Sequence, residues 1–129
     1  MKAHRIFMLD TCSVRMHELD VTRSILDSIR SAAEREGIVP VSAKVLVGEL
    51  TTFKAGPIHY YTQVLIEDDE ILSGLTLEIE MVAGVVECAS CGVRGPSASD
   101  LAVACGSCAS RDITIVSGDD VIVQSVRGS

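Results

Sequence analysis

Four of the five cysteines stand as two Cys-x-x-Cys pairs, Cys88 with Cys91 and Cys105 with Cys108. A pair at this spacing can turn two sulfurs toward one ion from a tight loop. The stretch from Gly92 to Asp100 is rich in Gly, Pro and Ser, residues that turn a chain back on itself. The pattern therefore predicts a closed tetrahedral site of four thiolates, structural rather than catalytic. Gly92 and Gly106 each follow a cysteine, where they suit turns whose N–H groups bond the sulfurs. An odd number of cysteines argues against a disulfide framework. Thiolate geometry does not by itself choose between zinc and a rubredoxin-like iron. Cys12 has no second cysteine at ligand spacing and is expected to be free and dispensable.

A second chemistry is available near Met16-His17-Glu18. Met16 would itself serve as a first residue. A chain starting there would offer its free amine, the His17 amide nitrogen and the His17 imidazole to one metal in adjacent chelate rings. Nitrogen-rich planar geometry suits Ni(II) or Cu(II) better than Zn(II). On residue chemistry alone this is a weak signal, because a histidine near a helix start is most often just exposed. Glu18 beside it is either an oxygen ligand or a residue favoured by the helix dipole. His4 and His59 are too scattered to form a catalytic site with His17. The run Glu67-Asp68-Asp69-Glu70 reads as a solvated loop rather than a cation site. There is no phosphate-binding loop, no glycine-rich dinucleotide turn and no nucleophile with a partner base, so nothing resembles a hydrolase or transferase site.

These groups need a scaffold. From Met16 to Glu36, Leu19, Val21, Ile25, Leu26, Ile29, Ala32 and Ala33 recur at helical spacing, with Gly37 placed as a C-terminal cap. Val39 to Leu50 reads as a strand with Val41, Ala43, Val45 and Val47 on one face. Gly56-Pro57 breaks the chain, puts Pro57 at a first helical position, and leads into a shorter helix from Ile58 to Ile66. Leu75 to Val86 alternates as one long strand, with Leu75, Leu77, Ile79 and Met81 inward. Strand character returns over Ile113 to Val116 and again over Val121 to Val126. The order predicts an α+β fold, a small mixed sheet with two helices on one side and an inserted four-cysteine zinc module. Three regions are expected: an N-terminal extension over 1–15, disordered or not native; an α+β domain over 16–86 and 113–129; and a zinc module over 87–112. Met1 and Met16 both stand as possible first residues.

Composition limits the partners. The chain has 129 residues, 47% of them apolar, enough for one core with a small satellite. A formal charge of −7 speaks against non-specific binding to nucleic acid or anionic membranes. No apolar run approaches the roughly 20 residues of a membrane-spanning helix. Residues 1–15 lack the apolar stretch and cleavage site of a secretory signal, so a cytoplasmic protein is expected.

Met16-His17-Glu18, the helix after it, Val47-Gly48-Glu49-Leu50 at a strand end and the two cysteine pairs together resemble the HypA family. The resemblance covers Met16 to about Val126. It implies a cytoplasmic, non-enzymatic nickel metallochaperone of [NiFe]-hydrogenase maturation, in some organisms also serving urease. Nickel would bind at His17, with Glu18 as a further ligand, and structural zinc at Cys88, Cys91, Cys105 and Cys108. The implied partners are the nickel-incorporation GTPase HypB and the hydrogenase large subunit, with no nucleic acid and no membrane. Two departures stand out. Fifteen residues precede Met16, and Lys54 occupies the position where some relatives carry an acidic ligand. The competing function is a zinc-ribbon module binding nucleic acid or a transcription partner, against which the acidic charge and the lack of a basic or aromatic stripe near the cysteines argue.

Overall fold

A computed structural model describes residues 4–6, 18–97 and 103–129. The chain order is β1 (His4–Ile6), α1 (Glu18–Glu36), β2 (Pro40–Gly48), α2 (Ala55–Ile66), β3 (Thr76–Val82), β4 (Val85–Cys88), β5 (Arg94–Pro96), β6 (Ile113–Ser117) and β7 (Val121–Gly128). Two sheets form. One has the order β1-β7-β2-β3, the other β5-β4-β6.

The apolar stripe of α1 does what its spacing predicts. Val21, Ile25, Leu26, Ile29 and Ala32 are buried in one core with the larger sheet and α2; Ala33 is buried too, and Leu19 only half-buried. Complete burial of an Ile or Val side chain is worth about 1.5–3 kcal/mol, so this stripe docks the helix. The helix stops at Gly37: the Ile38 N–H returns to the Ala33 carbonyl at 3.0 Å and the Gly37 N–H to Glu34 at 3.3 Å, a C-terminal cap of the Schellman kind. The β2–α2–β3 segment is a crossover unit, which is why β2 and β3 run parallel while β2 and β7 run antiparallel. Ala43, Val45 and Val47 on β2 meet Leu77 on β3 and Val121, Val123 and Val126 on β7 in one core with both helices. Among the described residues the buried polar ones, Thr22 and Thr62, give their hydroxyl protons to carbonyls one turn back, Glu18 and Ile58.

Four sequence expectations need adjustment. Val41 is 49% exposed, because the β2–β7 ladder is irregular between Pro40 and Ser42 and breaks the two-residue alternation. Helix α2 begins at Ala55, three residues early, so Pro57 sits inside the first turn, where no N–H is needed. The single strand expected over Leu75 to Val86 is two strands: the chain leaves one sheet after Val82 and enters the other at Val85. Ile113–Ser117, expected to rejoin the first domain, pairs with β4 in the smaller sheet. Alternation stops at Met81 and Gly84 follows, a signal for the first break, but periodicity does not say which sheet takes each piece, since it looks the same whichever partner strand lies alongside. Within the segment before Met16, His4–Ile6 pairs antiparallel with residues 121–123 of β7.

The acidic run is no cation cage. Asp69 receives Arg30 through a 2.5 Å hydrogen bond and accepts the Ile71 and Leu72 N–H groups at 2.8 and 2.9 Å. The guanidinium, followed by those two amides, holds its carboxyl down at about 2. Asp69 thereby ties the α2–β3 loop to α1.

Candidate metal centre

The smaller sheet carries the cysteines on its loops. Strand β4 ends on Cys88, the turn to β5 holds Cys91, and Cys105 and Cys108 lie in the second turn before β6. All four sulfurs lie within 4.8 Å of one another. Cys88 Sγ is 3.6 Å from Cys108 Sγ, and Cys91 Sγ is 3.6 Å from Cys105 Sγ. A tetrahedron with metal–sulfur bonds of about 2.3 Å has edges of about 3.8 Å, so the set fits a zinc ion with little movement. Among the described residues this is the one convergent group of three or more Cys, His, Asp or Glu side chains.

The two turns are built alike. The Gly92 N–H bonds the Cys88 carbonyl at 3.0 Å, and the Ala109 N–H bonds the Cys105 carbonyl at 2.9 Å. Each of these residues has positive φ, 74° at Gly92 and 62° at Ala109. The first cysteine of each pair is buried and the second exposed. Ser90 and Ser110 join the turns through a 2.9 Å hydroxyl contact. The turns bring N–H groups to the sulfurs: Cys91 donates to Cys88 Sγ and Ser107 to Cys105 Sγ, both at 3.4 Å. Gly106 serves a different need, since a Cβ there would sit 2.7 Å from the Pro96 carbonyl oxygen.

The charge balance of the bare thiols favours a dication. The Cys108 and Ser107 amides bring Cys105 down to about 6, and the Cys91 amide lowers Cys88. Their partners move the other way. Against an opposing hydrogen bond from the Val93 amide, the contact with the Cys105 sulfur and burial push Cys91 up to about 12. Cys108 rises too: against the Ser110 amide, the contact with Cys88, burial and the contact with Cys105 together raise it. Amide hydrogen bonds and shared sulfur contacts thus acidify two thiols, while the same sulfur contacts and burial oppose loss of the proton from their partners. A metal ion removes that conflict by replacing the protons.

The nickel residues fare differently. Met16 and His17 lie outside the described residues, as does Cys12. Glu18, the further ligand the resemblance implies, is the first residue of α1 and half-buried. His59 lies on the exposed side of α2, in its second turn rather than at its opening.

Residues 16–128 match the family model for HypA, described as hydrogenase/urease nickel incorporation, metallochaperone. The chain belongs to the HypA family. Among its relatives, a hydrogenase maturation factor HypA from Methanopyrus kandleri is 30% identical, over 87% of this chain and 92% of its own. A hydrogenase maturation factor HybF from Klebsiella pneumoniae is 32% identical, over 88% of this chain and 99% of its own. The fold is that of the solution structure of the nickel metallochaperone HypA from Helicobacter pylori, with a TM-score of 0.64 at 18% identity, covering 88% of this chain and 97% of that one. The family match begins at Met16 and takes in the helices as well as both cysteine pairs. A free-standing zinc ribbon would leave those helices without a role.

Proposed function

We propose that this HypA-family chain carries Ni(II) to the maturing [NiFe]-hydrogenase, and to urease where that enzyme is present, from a site at His17. The observation that carries the reading is the family match from Met16 to Gly128, which starts at the Met-His-Glu segment and spans the cysteine module. Cys88, Cys91, Cys105 and Cys108 hold zinc in the closed set described above, where the ion crosslinks the two turns. Nickel is cargo and takes a different donor set: the His17 imidazole and backbone nitrogens near it, with Glu18 as an added oxygen ligand. Soft tetrahedral sulfur suits zinc, and nitrogen-rich planar geometry suits nickel, so the two ions sort by site. A nitrogen site also releases its ion as protons compete for those nitrogens, which a transfer protein requires.

The larger sheet with its two helices forms the nickel unit, and β4 to β6 with the cysteines form the zinc unit. The nickel-incorporation GTPase HypB and the hydrogenase large subunit are the partners this reading assigns, in the cytoplasm. No helix among the described residues is long and apolar enough to cross a membrane. In cells lacking the native chain, His17→Ala should fail to restore hydrogenase activity at low nickel and should restore it partly at high nickel. Full restoration by His17→Ala at low nickel would remove the mechanism.

A further inference from the structure

Two backbone crossings connect the sheets: Ala83-Gly84, between β3 and β4, and Gly118 to Asp120, between β6 and β7. The end of β2 is wedged against both. The Gly48 N–H bonds the Asp120 carbonyl at 2.9 Å, the Glu49 N–H bonds Val82 at 2.8 Å, and the Leu50 N–H bonds Gly118 at 2.7 Å. The Glu49 side chain adds a fourth tie, its Oε1 accepting the Gly84 N–H at 3.2 Å. Across the same joint, the Ser117 hydroxyl donates to the Ala83 carbonyl at 3.0 Å.

Packing here excludes side chains. A Cβ on Gly48 would lie 2.2 Å from the Gly118 carbonyl, and one on Gly118 would lie 2.6 Å from the Gly84 Cα. Gly118 also has φ of 87°, which other residues rarely adopt. Leu50 closes the stack: a Cβ on Gly84 would strike its Cγ at 2.6 Å. Three backbone segments, distant in sequence, thus meet at van der Waals contact where the two sheets join. A flexible tether needs no such fit.

We propose that Gly48-Glu49-Leu50 is the clamp that fixes the zinc unit in one orientation on the helical unit, with Glu49 as its positioning residue. Glu49 grips the first crossing on either side of Ala83, its amide bonding Val82 and its carboxylate bonding Gly84. The carboxylate is turned to the joint as a hydrogen-bond acceptor, which assigns it to holding the backbone rather than to binding an ion. Being exposed, it can be replaced without opening the core.

The test compares zinc-loaded wild type, Glu49→Ala and Glu49→Gln by amide exchange, residual dipolar couplings and nickel titration. Glu49→Gln keeps a carbonyl oxygen that can accept the Gly84 N–H. In Glu49→Ala, Gly84 should exchange roughly three- to tenfold faster, as expected for loss of one partly exposed hydrogen bond. Wild type and Glu49→Gln should fit both units with one alignment tensor, whereas Glu49→Ala should need a second for the zinc unit. Zinc content should not change in either variant. Wild-type exchange at Gly84 in Glu49→Ala overturns the clamp. Faster exchange with a single tensor retained overturns it too, since the carboxylate then caps an amide and no more. Weaker nickel binding in both variants would make Glu49 a nickel ligand and overturn its positioning role.

Discussion

The two zinc turns share one backbone shape but not one residue. The position after the second cysteine has positive φ in both, yet it is Gly92 in the first turn and Ala109 in the second. An L-residue pays about 1–2 kcal/mol for this left-handed conformation. Glycine avoids that cost but loses about 0.4–1 kcal/mol through the greater freedom of the unfolded chain. Ala109→Gly should therefore stabilise the turn by about 0.5–1 kcal/mol. Gly92→Ala should cost a similar amount, because an added Cβ there meets nothing within 4 Å and only the torsion matters. Zinc binding and folding of the turns are one equilibrium. The change should appear in zinc affinity as roughly two- to fivefold tighter for Ala109→Gly and correspondingly weaker for Gly92→Ala. Competition with a chromophoric chelator at fixed pH reads this directly, and the double swap should return close to wild type. A weaker site in Ala109→Gly, or no loss in Gly92→Ala, would refute the argument from backbone conformation.

Cys88→Ser or Cys105→Ser should release the ion and loosen β4 to β6. The helical signal should keep its unfolding midpoint, because the core of Ile25, Val45 and Val123 contains none of the zinc-unit residues. Metal analysis with helical circular dichroism checks this, and joint collapse of both units would contradict it. Asp69 ionises at about 2 when folded, against an ordinary 3.8, so its tie to Arg30 stabilises the fold above about pH 4 and is lost as pH falls toward 2. The melting gap between wild type and Asp69→Asn should accordingly be full at neutral pH and close across that window; a gap unchanged at pH 2 would exclude the pair as its source.

How far the sequence carried depends on whether a feature is local. Helix α1 was legible because seven apolar residues and Gly37 mark one face and one end. The cysteine set was legible because ligand spacing is a local constraint imposed by the ion. The break at Ala83-Gly84 was legible only in part: alternation ends at Met81 and Gly84 interrupts the apolar run that follows, but which sheet each piece joins is a matter of long-range pairing. The role of Glu49 was hidden for the same reason: its carboxylate acts on Gly84, 35 residues away. Nothing in the residue type of Ala109 announces a left-handed backbone, although its place after Cys108 parallels that of Gly92 after Cys91.

The central claim is that nickel and zinc occupy separate sites in one chain, with nickel dependent on His17. A nickel titration of the zinc-loaded protein, followed by calorimetry and by metal analysis of the product, tests it most directly. Wild type should bind nickel more weakly than zinc, without displacing the zinc, and lose it on mild acidification. His17→Ala should keep its zinc and show no nickel binding in the same range, and a chain begun at Met16 should bind nickel more tightly than one with residues ahead of it. Wild-type nickel binding by His17→Ala, or nickel uptake that expels zinc from Cys88, Cys91, Cys105 and Cys108, would contradict the account.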